Sequence, residues 1–159
     1  MVTHLLATPL KADSFAPFGD VLEAPEQPGR ATFANALSNR RHEAKPTLSL
    51  VLRAPTELPI RSSTMERHRW SSQTFLPLDA GHWLIVVAPH VPNRDLPDME
   101  QARAFIATGA QGVTYGADVW HHPFTVLARP ARFAVSMWRQ GDAKDEEFVQ
   151  VDPFTVGLP

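Results

Sequence analysis

The chain has 159 residues, of which 43% are hydrophobic and 20% are charged, and its formal net charge is −2. These values are typical of one globular domain, and they lack the basic excess that a nucleic-acid-binding surface needs, so no nucleic-acid partner is expected. Cysteine is absent, which excludes disulfide bonds, thiolate metal sites and cysteine nucleophiles.

The predicted elements are short strands separated by turns, in a chain whose 15 prolines fall singly. The first elements in chain order are a strand at 5–10, a helical turn at 11–18, a weak strand at 20–24 and a loop at 25–31. Further strands are predicted at 48–54, 60–68, 73–78, 83–88, 113–115, 124–128, 133–138 and 148–151.

Residues 97–108 carry the clearest helix pattern of the chain. Pro97 and Asp98 stand at its start and Gly109 at its end, as in a capped helix. Four apolar side chains share one face at helical spacing, namely Met99, Ala102, Phe105 and Ile106. We therefore predict a helix here that packs on the core.

The order of the elements predicts the fold class. A turn at 79–81 is expected to join strands 73–78 and 83–88 as a hairpin. Many short strands with one or two short helices predict a mainly β protein, a β-sandwich or jelly-roll barrel. Since no repeat and no linker divides the chain, we expect a single domain over 1–159.

The N-terminal segment and the apolar runs bear on location. MVTHLLATPL lacks the basic and apolar regions of a signal peptide. No apolar run approaches the roughly 20 residues that a membrane-spanning helix needs. We therefore expect a cytoplasmic protein without a membrane partner.

A first cluster of reactive side chains lies in the predicted strand 60–68. Alternate strand residues point to the same face, so Glu66 and His68 project together and Arg67 points away from them. Inside a barrel, the carboxylate and imidazole could bind a divalent metal or act as an acid–base couple. On an outer face they would be a solvated pair, and spacing alone leaves both interpretations open.

The second cluster is Trp120-His121-His122, followed by Pro123. Adjacent strand residues face opposite sides, so one histidine should point inward and the other outward unless a bulge intervenes. Two consecutive histidines also occur by chance in loops, so this cluster alone does not establish a site.

Taken together, the clusters resemble the two cupin motifs. The first motif, His-x-His-x4-Glu, corresponds to Glu66, His68 and Gln73, and His121 stands at the place of the single histidine of the second motif. The resemblance implies a metal site formed by Glu66, His68, Gln73 and His121 if a metal is bound. The ion would be nickel, manganese or zinc, held less tightly because an amide is a poorer ligand than a carboxylate.

Longer strings resemble one family. FAPFGDV, MERHRWSSQTFLPL and GAQGVTYGADVWHHP are similar to sequences of the ureidoglycolate lyase family, also called ureidoglycolate hydrolase, and the similarity runs from about Phe15 to Arg139. The resemblance implies a cupin-like barrel, often a homodimer, that splits ureidoglycolate into glyoxylate and urea. Such a carbon–nitrogen lyase would act in allantoin and purine degradation.

The same resemblance implies the site residues. The catalytic residues would be His68, His121 and Glu66. The substrate-binding residues would be Asn35, Arg41, Gln73, Tyr115, Trp120 and His122. Arg41 is expected to bind the substrate carboxylate, Gln73 and Tyr115 to hydrogen-bond the urea group, and Trp120 to exclude water.

One position departs from the family. Members tend to carry an Asp-Arg pair at the end of the strand after WHHP, where this chain has Trp138-Arg139. If that aspartate helps catalysis, two alternatives arise. The chain would be another cupin enzyme acting on a small hydroxy acid, or a non-catalytic module that binds a small molecule.

Overall fold

The computed structural model describes residues 2–159, which form fourteen β-strands, one short helix and the loops that connect them. One short helix, α1, covers Ala12–Phe15. The strands are β1 Thr3–Leu6, β2 Thr8–Pro9, β3 Gly19–Leu22, β4 Lys45–Arg53, β5 Pro55–Thr56, β6 Ile60–Arg67, β7 Gln73–Pro77, β8 His82–Ala88, β9 Arg103–Thr108, β10 Gly112–Tyr115, β11 Trp120–His121, β12 Thr125–Leu127, β13 Ala131–Arg139 and β14 Glu147–Gly157. Within residues 2–159, no helix is long and apolar enough to span a membrane.

The strands form two sheets that enclose a barrel-shaped interior. The larger sheet has nine strands, in the main order β1-β14-β6-β11-β8-β12-β5, with β9 beside β8 and β2 beside β9. The smaller sheet has five strands, in the order β3-β10-β7-β13-β4. Between the sheets, large buried side chains of both, such as Phe75, Trp83 and Phe133, form the main core. The prediction of a mainly β, barrel-shaped fold with one or two short helices is confirmed.

The sequence of β8 is a continuous apolar run after His82 because both faces of the strand are buried. Trp83 and Val87 face the main core between the sheets. Leu84 and Val86 face a second cluster on the outer side of the nine-stranded sheet. A strand buried on both faces gains nothing from polar residues on either face, which explains the absence of alternation in its sequence.

The predicted helix at 97–108 is wrong. Its second half is strand β9, which pairs antiparallel with β8 and places Phe105 opposite Ile85. Phe105 joins the main core, while Ala104 belongs to the second cluster. Apolar residues on both faces satisfy helical spacing by coincidence, and pairing with a distant strand overrides the local preference.

The predicted hairpin through 79–81 is also wrong. Strand β7 pairs with β10 and β13 in the five-stranded sheet. Strand β8 pairs with β9, β11 and β12 in the nine-stranded sheet. The turn at 79–81 therefore carries the chain from one layer to the other.

Candidate active site

The site is built where β6 and β11 lie side by side. His121 is the direct antiparallel partner of Glu66, so their side chains leave the sheet on the same side. His68 directly follows β6 and projects to that side as well. All three are buried, and their ligand atoms lie within 4.8 Å of one another.

Backbone carbonyls orient both imidazoles. Nδ1 of His68 donates to the Asp145 carbonyl at 2.8 Å, and Nδ1 of His121 donates to the Val119 carbonyl at 2.9 Å. Each neutral ring therefore carries its lone pair on Nε2. Both Nε2 atoms are buried and have no hydrogen-bond partner within residues 2–159. The His121 Nε2 lies 3.2 Å from the Glu66 carboxylate, so a proton or a cation is needed between them.

The surroundings set the charges of these groups. Burial lowers the pKa of His68, and the neighbouring His121 lowers it further, so His68 is neutral at pH 7. Burial raises the pKa of Glu66, but the facing His121 imidazole outweighs this effect, and the net pKa is lowered. Burial and the charge of Glu66 both raise the pKa of Tyr115, which keeps its phenol protonated.

The opposite wall of the site comes from the five-stranded sheet. Tyr115 stacks on the His121 ring, with centroids 4.2 Å apart and planes 12° from parallel. Gln73 is the strand partner of both Tyr115 and Met137. Its Nε2 donates to the Met137 sulfur at 3.8 Å, while its Oε1 is buried without a partner within residues 2–159. The amide oxygen is therefore free to accept from a ligand or to bind a cation.

A cavity of ≈ 170 Å³ opens beside this cluster, between β4, β13 and the segment before β14. Its lining residues are Thr47, Ser49, Val51, His68, Gln73, Val135, Met137, Arg139, Asp145 and Glu146. The volume suits a small molecule.

Asp145 belongs to the site, although no sequence pattern singles it out. Its buried carboxylate accepts from the backbone N–H groups of Gln140 and Gly141 and pairs with Arg41. Burial raises its pKa, but the Gln140 amide, Arg41 and the Gly141 amide outweigh this and hold the pKa at about 2. Arg41 therefore reaches the cluster only through Asp145, the residue whose carbonyl orients His68.

Other predicted substrate-binding residues lie elsewhere. Asn35 is exposed and lines a separate surface depression with Asp20 and Gly116. Trp120 lies on the opposite face of β11 from His121, where its Nε1 donates to His90 at 3.3 Å. The structure therefore does not bring Asn35 and Trp120 together with Glu66, His68 and His121.

His122 also lies apart from the inward-facing histidines. Its ring packs edge-on against Phe154 of the second cluster, with centroids 5.9 Å apart. Its Nδ1 lies 3.3 Å from the Thr125 hydroxyl. The two adjacent histidines thus face different surroundings, as strand alternation predicts.

Arg67 faces away from Glu66 and His68, as predicted. It is nearly fully buried on the outer side of the sheet and lies 4.3 Å above the Trp120 ring. Its guanidinium pairs with Asp95, with Asp118 at 2.9 Å and with Glu147 at 2.7 Å. Arg67 thus ties β6 to β14 and to two loops behind the site.

This chain has Trp138 where family members tend to carry an aspartate, but that difference does not remove a carboxylate from the cavity. Arg139 and Met137 line the cavity, so the residue between them projects from the other face of β13. An aspartate at 138 would point the same way. The acidic residues that line the cavity are instead Asp145 and Glu146.

Comparisons with known proteins concern the family of the whole chain. Residues 2–157 match the sequence model of a family described as Ureidoglycolate lyase. A curated relative from Agrobacterium fabrum is 41% identical over 140 residues, which covers 87% of this chain and 85% of the relative. The protein named Ureidoglycolate lyase from Chelativorans sp. is 33% identical, covering 98% of this chain and 97% of the relative. A protein of the same name from Pseudomonas syringae pv. syringae is 35% identical, covering 91% and 89%.

The backbone of this chain also matches a solved structure in part. It is a dTDP sugar isomerase from Desulfovibrio desulfuricans, with a TM-score of 0.45 and 17% sequence identity. The match covers 85% of this chain and 83% of that chain.

Proposed function

The chain belongs to the ureidoglycolate lyase family, and we propose that Glu66, His68 and His121 carry out the carbon–nitrogen bond cleavage on ureidoglycolate. One observation carries this assignment. Two buried imidazole nitrogens without hydrogen-bond partners within residues 2–159 converge on a carboxylate, and His68 of this cluster lines a small cavity. Perturbed titratable groups in such a place are typical of a catalytic site.

The reaction needs one base and one acid. The reacting carbon of ureidoglycolate carries a hydroxyl group and a urea nitrogen. When a base takes the hydroxyl proton, the oxygen forms a double bond to carbon and the carbon–nitrogen bond breaks. The electrons of that bond go to the nitrogen, which takes a proton from an acid. The products are glyoxylate and urea.

The geometry suggests how these tasks are divided. His68 is the proposed base, because it is neutral and its Nε2 is free while Asp145 fixes its ring. His121 is the proposed acid, because its Nε2 lies 3.2 Å from Glu66, which would stabilise the protonated ring. Tyr115 holds the His121 ring by stacking, and Gln73 offers its amide oxygen to the urea N–H groups.

The same atoms fit a divalent metal ion. Glu66, His68 and His121 present ligand atoms within 4.8 Å of one another, and the Gln73 oxygen is a fourth buried acceptor without a partner within residues 2–159. Imidazole and carboxylate ligands together suit nickel, manganese or zinc. A bound ion would supply a Lewis acid that polarises the substrate hydroxyl. Base and ligand are alternative roles for the His68 nitrogen.

Incubation with racemic ureidoglycolate tests the proposed function directly. We expect equimolar release of glyoxylate and urea, measured by separate assays for the two products. The assay is run on purified protein, with and without added nickel, manganese or zinc. If neither product is released under any of these conditions, the proposal is wrong.

The homodimer implied by the family resemblance has a suitable surface in this structure. Leu48, Leu50 and Leu52 are 73%, 75% and 62% exposed on one face of β4, the edge strand of the five-stranded sheet. Leu50 and Leu76 are both strand partners of Ala134, which places Leu76, 44% exposed, on the same face. Contiguous exposed apolar surface marks an interface, and a second copy of this chain is the proposed occupant.

Leu50→Glu is expected to convert the dimer into a monomer, because two buried carboxylates would face each other across a two-fold interface. Light scattering after size-exclusion chromatography measures the mass. Leu6→Glu is the matched control, since Leu6 is 61% exposed on the other sheet. A dimer that persists in Leu50→Glu but is lost in Leu6→Glu would place the interface elsewhere.

The remaining parts of the proposal rest on the family resemblance. They include a role in allantoin and purine degradation. A cytoplasmic location is proposed from the sequence pattern alone. The proposed partners are a small-molecule substrate and a second copy of the chain.

A further inference from the structure

We propose that Arg139 binds the carboxylate of the substrate, a role that the sequence had suggested for Arg41. The inference rests on the proposed function, because it concerns the same cavity and the same substrate. Ureidoglycolate carries a carboxylate next to its reacting carbon. A guanidinium group can hold such a carboxylate with two parallel hydrogen bonds.

The lining of the cavity supplies the first argument. Among its lining side chains within residues 2–159, Arg139 is the one that is permanently cationic. It lies on β13, two residues beyond Met137 on the same inward face. Met137 contacts Gln73, so Arg139 stands about 7 Å further along the strand from that contact. An extended arginine side chain covers such a distance.

The other arginines near the site are already engaged. Both terminal nitrogens of Arg41 bind carboxylates, Asp142 at 3.1 Å and Asp145. The Arg41 side chain is only 11% exposed and does not line the cavity. Arg67 lies on the other side of the sheet and pairs with three carboxylates. Neither can turn to a substrate without breaking these pairs.

Arg139, in contrast, has free donors. Its one protein partner within residues 2–159 is Asp145, reached through Nε at 3.4 Å. Its two terminal amino groups have no acceptor in that part of the chain, and the side chain is 48% exposed. Since Arg41 and two backbone N–H groups already compensate Asp145, the weak Nε contact orients Arg139 and leaves its charge available.

Asp145 connects the two ends of the proposed substrate site. Its side chain contacts Arg139, and its carbonyl accepts from His68. A substrate carboxylate held by Arg139 therefore places the adjacent carbon toward His68. Asp145 therefore helps to position both Arg139, the proposed binder of the substrate carboxylate, and His68, the proposed base.

Glyoxylate is the probe for this assignment, because it keeps the carboxylate and needs no turnover. We expect Arg139→Met to weaken glyoxylate binding, measured by calorimetry, by about 10- to 100-fold, the loss typical of hydrogen bonds to a charged group. The KM for ureidoglycolate should rise by a similar factor, with a smaller change in kcat. Arg139→Lys should retain part of the affinity.

Arg132→Met is the matched control. Arg132 lies on the same strand, but it is 63% exposed on the outer face and pairs with Asp79. This variant should bind glyoxylate as the wild type does, and circular dichroism should show that both variants are folded.

The outcomes separate this assignment from the proposed function. Unchanged glyoxylate affinity in Arg139→Met, or a wild type without measurable affinity, overturns the role of Arg139. A wild type that binds glyoxylate through Arg139 but never cleaves ureidoglycolate supports the role of Arg139 and overturns the proposed function.

Discussion

His68→Ala is expected to lower kcat for ureidoglycolate by about 10²- to 10⁴-fold, the usual contribution of a positioned general base. The variant removes the one imidazole among the cavity-lining residues, whose Nε2 has no hydrogen-bond partner within residues 2–159. Initial rates of glyoxylate release measure the effect. His82→Ala is the control, because His82 is exposed at the start of β8 and should turn over normally. Full activity in His68→Ala would refute its assignment.

Metal analysis of the same proteins distinguishes the two roles of this nitrogen. If a metal is required, the active wild type should contain about one ion per chain, and His121→Ala should lose both the ion and activity. The reason is that three ligands hold an ion far better than the remaining two. A metal-free wild type with full activity would show that His68 acts as a base without an ion.

The second large effect is expected from Arg67→Met, which should destabilise the fold by about 3 kcal/mol, at the lower end of the cost of breaking a buried ion pair. The expected loss is at the lower end because Asp95, Asp118 and Glu147 are in contact with water. Only the Arg67 side chain is almost fully buried, at 2% exposed. Without the guanidinium, three carboxylates repel one another and Trp120 loses its stacked partner. Urea unfolding monitored by circular dichroism measures the change.

Arg69→Met is the control for that experiment. Arg69 pairs with two of the same carboxylates, Asp95 and Glu147, but its side chain is 36% exposed. Exposed ion pairs contribute less than about 1 kcal/mol, so this variant should stay close to the wild type. Equal losses of unfolding free energy in the two variants would show that the burial of Arg67 does not determine its contribution to stability.

Strand alternation predicted the central part of the site. It placed Glu66 and His68 on one face, turned Arg67 away and separated His121 from His122, and the structure agrees on each point. The same rule also bears on Trp120. Since His121 points inward, its neighbour had to point outward, and that signal was available in the sequence.

Asp145 and Arg139 could not be assigned from sequence. The bond between His68 and the Asp145 carbonyl joins residues 77 positions apart. Arg41 and Arg139 are equivalent as residue types, and only the pairing of Arg41 with Asp142 and Asp145 shows which one is free. The helix prediction at 97–108 failed for the related reason that β9 is defined by its partner β8.

The two sheets contribute different parts of the site, and this has a consequence for how the protein can change. Glu66, His68 and His121 come from the nine-stranded sheet, whereas Gln73 and Arg139 come from the five-stranded sheet. The groups that we propose to move protons therefore sit on one layer, and those that we propose to select the molecule sit on the other. Substitutions along β4 and β13 can retune which small acid is accepted, through evolution or design, while the proton-transfer layer is inherited intact.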